Sequence, residues 1–572
     1  MTGVTSVEPE TRGVAKTPPL KLWDGIVPWL LAALLLAPGI CWVAQDRSVW
    51  SWDPSFYAEG TVDLWFKLVH HPTQWPAAML SALAPKAPGI AWLGQFFVPV
   101  GELLGSVEAG LLASVLLAHL ATLVLTFHLG RRIAPGSPIP AVVGTLFLAA
   151  GPLYGAMSHH FLTEALQAFA ITYIYWVASA SSSLSPLRGL LHLVLATSIG
   201  FLAKVSTPAL VVFPFCLAAF NLARGVAGLE WRRAAGKREL FLGIVAVAVA
   251  GMGLLWYRHN WKDAWAFARL AVSGEVALDY GTKDTVFNKL IYWLGAMRKS
   301  FLAPETLWLL LPGAVVALVL ALRRRHQPQV EAPRGARGTV VAAALQIAIV
   351  LVILSFSINQ ERRYLLGLAP SLAVVLIWLA AIPRLAPIRA GLLLMLVAQW
   401  ALVHARFLAL IPPSPERTYW EGSPVVRTPL IRELSRLDDD TCNGKTAGRS
   451  IMTGVDLDWL NMNTLSFYSA KARLQRGFRC NYVYLGHAAK DPEAAWATLG
   501  YWHVAYFISL EESAMQQPPD FLNRVSLAVL KRLEHERQFR KEPFDSESHI
   551  AVFRSLEEAL GSPKGDTDHP PQ

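Results

Sequence analysis

Charged residues are scarce where this chain is most apolar, and a small set of them stands at the edges of long uncharged runs. Asp53 follows the first run in SWDPSFYAEG, with Glu59 and Asp63 behind it. Lys86 lies in LAPKAPGIAWLGQ, Glu164 opens a run in HHFLTEAL, and Lys204 interrupts GFLAKVSTPAL. Arg258 in LLWYRHNW and the pair Arg362 and Arg363 in NQERRYLLGLAP complete the set. An ionisable group at or inside a membrane span is costly, so each is a candidate for function. Taken singly, each has a plainer account. A boundary Lys or Arg snorkels to headgroups, an acid beyond a span is solvated in its loop, and Glu164 favours a helix N-terminus through the dipole. Together they place acids and cations on one membrane face. That is what a reaction between an acceptor hydroxyl and a phosphate-bearing lipid requires, because an acid takes the proton and cations hold the departing phosphate.

The elements that position these residues follow from composition. Of 572 residues, 53% are hydrophobic and 16% charged, against about 25% charged in a typical soluble domain. Soluble, disordered and disulfide-stapled classes are thereby excluded, the last because there are only 4 Cys. The expected fold class is a polytopic α-helical membrane protein. About eleven transmembrane helices are expected near 25–45, 109–130, 139–157, 165–182, 188–203, 205–223, 240–257, 304–322, 338–358, 364–383 and 390–410, each near the roughly 17 to 25 residues that cross a bilayer. The first run exceeds a signal-peptide core and is expected to stay as an anchor. Alternate loops carry Arg131 and Arg132, Arg188, Arg232 and Arg233, Arg323 to Arg325, and Arg384 with Arg389. The positive-inside rule makes these loops cytoplasmic. The net charge of +10 is then explained by topology, and no nucleic-acid partner is expected. Residues 46–108, 258–303 and the C-terminal tail fall on the outer face. The first of these carries Trp and Phe residues suited to interfacial helices.

Four regions are expected: a disordered cytoplasmic tail over 1–20, the transmembrane domain over 21–410, a soluble extracytoplasmic α/β domain over 411–560 and a disordered tail over 561–572. The change comes at IPPSPERTYW, where Pro and charge end the apolar pattern. Short apolar stretches at 449–454, 481–485, 502–509 and 549–554 alternate with helical patterns near 490–499 and 519–536. Cys442 and Cys480 could pair in an oxidising compartment or stand as free thiols. His159 and His160 read as a polar turn between spans.

The ordered motifs resemble the C-type glycosyltransferase superfamily, especially its bacterial aminoarabinose transferase and protein O-mannosyltransferase branch. WDPSFYAEG is similar to the first-loop acidic motif, PKAPGIAWL to the Lys-Pro-Pro loop, and LTEALQAF to the second acidic motif. GFLAKVSTPAL matches the Lys at the end of span five, WYRHNW resembles a Trp-Tyr-Leu-Arg-Asn segment, and ERRYLLGLAPSLAVV is close to an Arg-Tyr-Leu-Leu-Pro signature. The resemblance covers about residues 20–410 and implies a multi-pass protein of the bacterial inner membrane. Its active site and C-terminal domain would face the periplasm or exterior. It implies an inverting hexosyl- or pentosyltransferase that uses a polyprenyl-phosphate-linked sugar donor. The acceptor would be a lipid, glycan or protein, as in lipopolysaccharide or glycolipid biosynthesis and protein glycosylation. Asp53 would be the general base or a metal-associated acid, and Glu164 the second acid. Lys86, Lys204, Arg258 and Arg363 would contact the lipid phosphate, with Glu59, Tyr57, Arg362 and Tyr364 in support. A divalent metal ion held by Asp53 and Glu164 is the one cofactor the resemblance suggests. The chain departs from the pattern at Pro54, where relatives have a second acid, at Glu164 for Asp, at Ala87 and at Gly367.

A transporter or lipid flippase is the alternative, since charges within spans also mark substrate paths. Against it, the ionisable groups gather on one face and no Gly/Pro-broken pair of spans repeats between halves. A membrane-anchored sensor would need one or two spans. Phosphoglycerol-type transfer would need a Ser or Thr nucleophile among metal-spaced His and Asp.

Overall fold

The computed structural model of the chain describes residues 25–227, 236–306, 334–382, 386–414, 416, 420–443, 446, 449–486 and 489–556. In the membrane part the helices are α1 (Val27–Gln45), α2 (Trp52–His70), α3 (Val107–Ile133), α4 (Ile139–Ala150), α5 (Glu164–Ala180), α6 (Pro186–Ala203) and α7 (Val212–Ala227). They continue as α8 (Lys237–Ser273), α9 (Val286–Phe301), α10 (Arg334–Phe356), α11 (Ala369–Ala381) and α12 (Ala386–Phe407). Among the described residues, 7 helices are long and apolar enough to cross a membrane, and two shorter apolar helices accompany them. The expected span over 304–322 lies almost wholly outside the described residues.

Local chemistry explains where helices begin and break. Ser106 caps α3 by accepting from the Ala109 amide, with Glu108 in the first turn and Arg131 and Arg132 in the last, each charge complementing the dipole. The span expected over 139–157 is two helices, because Pro152 turns Gly151 extended (ψ 125°) and starts the short Pro152–Met157 segment. The run around Lys204 also breaks. Lys204 is an extended C-cap of α6, and a 3-10 turn over Thr207–Leu210 leads into α7. The largest departure is α8. The apolar run expected to end at 257 continues as one helix of 37 residues, about 55 Å long. Its amides bond within the helix whether or not lipid surrounds them. Trp261 and Trp265 stack on its exposed side at 5.7 Å. On its buried side, Trp256 and Asn260 donate to the carbonyls of Ala82 and Leu80.

The segment 46–108, expected on the outer face, is largely helical, as its aromatic content suggested. After α2 come Trp75–Ser81, Gly89–Gly94 and Val98–Leu103. The segment packs closely against α6, where a Cβ on Gly89 would meet the Leu202 carbonyl at 2.6 Å, and against α3, where a Cβ on Gly110 would meet the Phe97 carbonyl at 2.4 Å.

The C-terminal part holds α13 (Thr428–Thr441), β1 (Ser450–Thr453), α14 (Met462–Arg476), β2 (Asn481–Tyr484), α15 (Pro492–Tyr501), β3 (Val504–Leu510), α16 (Ser526–His535), β4 (Phe539–Glu542) and β5 (Ile550–Ser555). The sheet order is β2-β1-β3-β5-β4, parallel across β2-β1-β3 and antiparallel at β5 and β4. Alternation along the strands fills two cores. Ile451, Ile508 and Val552 face Leu434, Leu437 and Leu465, while Met452, Phe507 and Phe553 face Leu499, Val529 and Leu530. Cys442 and Cys480 are joined in a disulfide with a Cα–Cα distance of 5.6 Å, tying the end of α13 to the start of β2 across a separation of 38 residues. A loop of that length is worth about 3–4 kcal/mol in a chain-entropy account. The Cys442→Ala/Cys480→Ala protein is therefore expected to lose the C-terminal part first on heating, read as earlier tryptic cleavage within 428–555. Cleavage unchanged from the parent would show that the bridge contributes nothing.

Candidate active site

Five segments bring the charges together. Asp53 lies in the first turn of α2, Lys86 in the loop behind it, Glu164 at the first position of α5 and Lys204 at the end of α6. Arg363 enters on a 3-10 turn, Arg362–Leu368, just before α11. The Asp53 carboxylate takes one hydrogen bond from Lys86 and one from the Arg363 guanidinium at 2.8 Å. Glu164, with a side chain 2% exposed, receives Lys204 Nζ at 2.6 Å and lies 3.6 Å from Arg363 Nε. Glu361 closes the group at 2.9 Å from the same Nε and accepts from the Trp420 indole at 3.1 Å. Arg363, 13% exposed, thus touches all three carboxylates. Three acids and three bases leave the cluster without net charge.

Aromatic rings shape the walls. Lys86 Nζ lies 4.8 Å from the Phe56 ring and 5.0 Å from that of Phe267. Lys204 Nζ is over Tyr364 at 4.6 Å, and the Arg363 guanidinium over Trp420 at 5.1 Å. Such faces hold cations without neutralising them. Tyr57 is one helical turn beyond Asp53 and buried. Behind it His160 Nε2 meets the Trp420 carbonyl at 3.0 Å, and burial pushes its imidazole down to about 4, so it is neutral. Burial opposes ionisation of Asp53, but the charges of Lys86 and Arg363 outweigh it and hold the carboxyl well below the ordinary range. Glu361 goes the other way. There burial wins over the pull of Arg363, and its pKa is raised.

Several expected residues lie elsewhere. Arg258 is exposed on α8, on the side away from Trp256 and Asn260, and does not join the group. It follows from the helix running on, which leaves position 258 about 200° around from both. Glu59 is two turns along α2 and on another face. It pairs with Arg479 of the C-terminal part, which also holds Asp63 at 2.8 Å. Burial raises the Glu59 carboxyl despite that partner. Arg362 is half-buried beside Arg363. Glu361 and Trp420 went unrecognised as part of the group. Glu361 was signalled as the acid opening ERRY, whereas nothing in the pattern around Trp420 distinguishes it.

As arranged, these residues do not suit a divalent cation. Both oxygens of Asp53 and one of Glu164 are taken by ammonium or guanidinium groups, and no group of three or more His, Cys, Asp or Glu among the described residues could hold a metal.

No family model matches the sequence, and no curated protein matches it. Solved structures do share its fold. ArnT from Cupriavidus metallidurans in the apo state superposes with a TM-score of 0.52 at 14% identity, covering 92% of this chain and 97% of that one. ArnT from the same organism bound to undecaprenyl phosphate gives 0.52 at 15% identity, covering 93% and 99%. The chain therefore shares the fold of ArnT along nearly its whole length.

Proposed function

We propose that this protein is an integral-membrane glycosyltransferase that moves a sugar from a polyprenyl-phosphate donor to a lipid, glycan or protein acceptor. The observation that carries the reading is Asp53 held between Lys86 and Arg363, with Glu164 and Lys204 attached through the same guanidinium. The motif resemblance and the fold shared with ArnT, solved with undecaprenyl phosphate, support it.

Asp53 takes the proton of the acceptor hydroxyl as its oxygen attacks the anomeric carbon. The bond from that carbon to the phosphate oxygen breaks, and the electron pair leaves with the polyprenyl phosphate. Single displacement with no enzyme-bound sugar inverts the centre. Lys86, Lys204 and Arg363 receive the charge that develops on the leaving phosphate. In the free protein these cations are engaged by carboxylates, and Asp53 is a weak base. A phosphate that draws Lys86 and Arg363 toward itself removes what depresses the Asp53 carboxyl, so donor binding raises its basicity. Glu164 and Glu361 keep the cations in place between turnovers. On this reading the site and the C-terminal domain over 411–560 face the periplasm of a bacterial inner membrane.

The test is transfer of radiolabelled sugar from polyprenyl phosphate by the full-length protein in nanodiscs supplied with envelope acceptors. Polyprenyl phosphate is the expected second product, and absence of both products would overturn the reading. Within that assay Lys204→Ala is expected to raise the apparent KM for donor about tenfold, the worth of one charged hydrogen bond. Lys86→Arg, which keeps its charge, is expected to raise it less. Equal and negligible effects would leave both lysines as boundary residues that merely reach for headgroups.

A further inference from the structure

The turn that presents Asp53 is strained and is held from outside the membrane part. Trp52, the residue before it, has φ 24°, a left-handed backbone unusual for a large side chain and sustained only where its surroundings impose it. Those surroundings belong largely to the C-terminal part. The Trp52 indole donates to Asp456 Oδ1 at 2.6 Å. Two residues earlier, the Trp50 carbonyl accepts from Ser55 Oγ on one side and from Thr464 Oγ1 of α14 on the other, both at 2.8 Å. The Trp50 ring lies between Phe161 and Phe467, at 6.0 and 5.5 Å.

Asp456 is itself fixed. It leaves the carboxyl end of β1, where the connections from β1 run to β2 on one side and return to β3 on the other. In an open parallel sheet this is the crevice that carries function. Its backbone is clamped by Asn523, which accepts from the Asp456 amide at 2.8 Å and donates to its carbonyl at 3.1 Å. Asp520 Oδ1 in turn holds Asn523. Around this contact the ion pairs Arg479 with Glu59, Arg473 with Asp63 and Lys471 with Glu108 fasten the C-terminal part to α2 and α3.

We infer that Asp456, delivered from the switch point of the C-terminal sheet, is a positioning residue that sets the aim of the Asp53 carboxylate through the Trp52 indole. The inference rests on the proposed role of Asp53 as base. The Asp456 carboxylate touches neither donor nor acceptor in this role. It fixes the strained residue whose Cα precedes that of Asp53, and an error of about 1 Å in a reacting group costs on the order of a hundredfold in rate.

The experiment uses the full-length protein in nanodiscs with two readouts. In the first, Asp456→Ala is expected to lower kcat for sugar transfer by about 10- to 100-fold with the donor KM within about twofold. Asp456→Asn, whose amide oxygen can still accept the indole N–H, is expected to recover most of that loss. Trp52→Phe is expected to lower kcat as Asp456→Ala does, and the double variant to be little worse than either single one. In the second, 5-fluorotryptophan placed at position 52 is observed by fluorine resonance without substrate, and its signal is expected to move in Asp456→Ala but hold in Asp456→Asn. Unchanged kcat and unchanged resonance in Asp456→Ala, or Asn falling as far as Ala, would overturn the inference. Additive losses in the double variant would do the same. A resonance that moves in a protein whose parent transfers no sugar would sink the proposed function and leave the Trp52–Asp456 placement standing. If Asp456→Ala does not fold, Trp52→Phe against Asp456→Asn decides the same question.

Discussion

Asp53→Asn is expected to lower sugar transfer from polyprenyl phosphate by about 10²- to 10⁴-fold, the range that a positioned base contributes. The substitution is nearly isosteric. Its amide oxygen can still accept from Lys86 or Arg363, so the local packing survives while proton acceptance is lost. Expression and melting temperature are expected to stay close to the parent. Two of the three cations lose a full counter-charge, which an amide dipole offsets in part, and donor binding is expected to hold or tighten because the phosphate no longer competes with a carboxylate. The measurement is therefore a split: kcat collapses and donor affinity does not. More than about a third of parental kcat in Asp53→Asn would remove Asp53 from the proton transfer and point to Glu164 or Glu361.

The second large effect belongs to Arg363. Its guanidinium touches Asp53, Glu164 and Glu361, and truncation leaves three carboxylates in a half-buried site with only Lys86 and Lys204 to answer them. Removing one partner from such a site costs about 3–5 kcal/mol. Arg363→Ala is expected to be inactive and to melt well below the parent. Arg363→Lys is expected to recover part of the stability but little activity, since a point charge cannot span three acceptors as the planar fork does. Stability and chemistry are separated by Arg363→Ala/Glu361→Gln, which removes one uncompensated acid. Its melting temperature is expected to climb back while transfer stays lost. If the double variant is no more stable than Arg363→Ala, Glu361 is not held by Arg363 in solution.

Much of this cluster was legible in the sequence because charge is rare in apolar surroundings. Asp53, Lys86, Glu164, Lys204 and Arg363 each broke an otherwise uncharged run, and the structure brings all five within one network. Arg258 broke a run as well, but charge marks only where hydropathy changes and not where a helix ends. Because α8 continues to Ser273, the residue points away. Glu59 failed for a similar reason. A position six residues along a helix is about 240° around it, so Glu59 serves the C-terminal part, whereas Tyr57, four along, faces as Asp53 does. The strands β1, β2, β3 and β5 were visible as short apolar stretches. β4 was not, because FRKE at the sheet edge carries three charges in four residues and shows no buried face. Asp456 and Trp420 were out of reach, since each acquires its meaning from a partner on another element, Trp52 at a separation of 404 residues and Glu361 at 59.

The long helix α8 has one further consequence. Trp261 and Trp265 stand exposed on it, and tryptophans on a helix leaving the bilayer sit at headgroup level. On the buried side of the same turns, Trp256 and Asn260 hold the carbonyls of Ala82 and Leu80, a few residues before Lys86. On the proposed reading the helix would act as a depth gauge, setting Lys86 against the plane in which lipid phosphates already lie. A polyprenyl donor would be captured without being lifted from its leaflet, with its chain still in hydrocarbon. Encounter would then become a two-dimensional search, governed by the donor's mole fraction in the membrane and not by its bulk concentration.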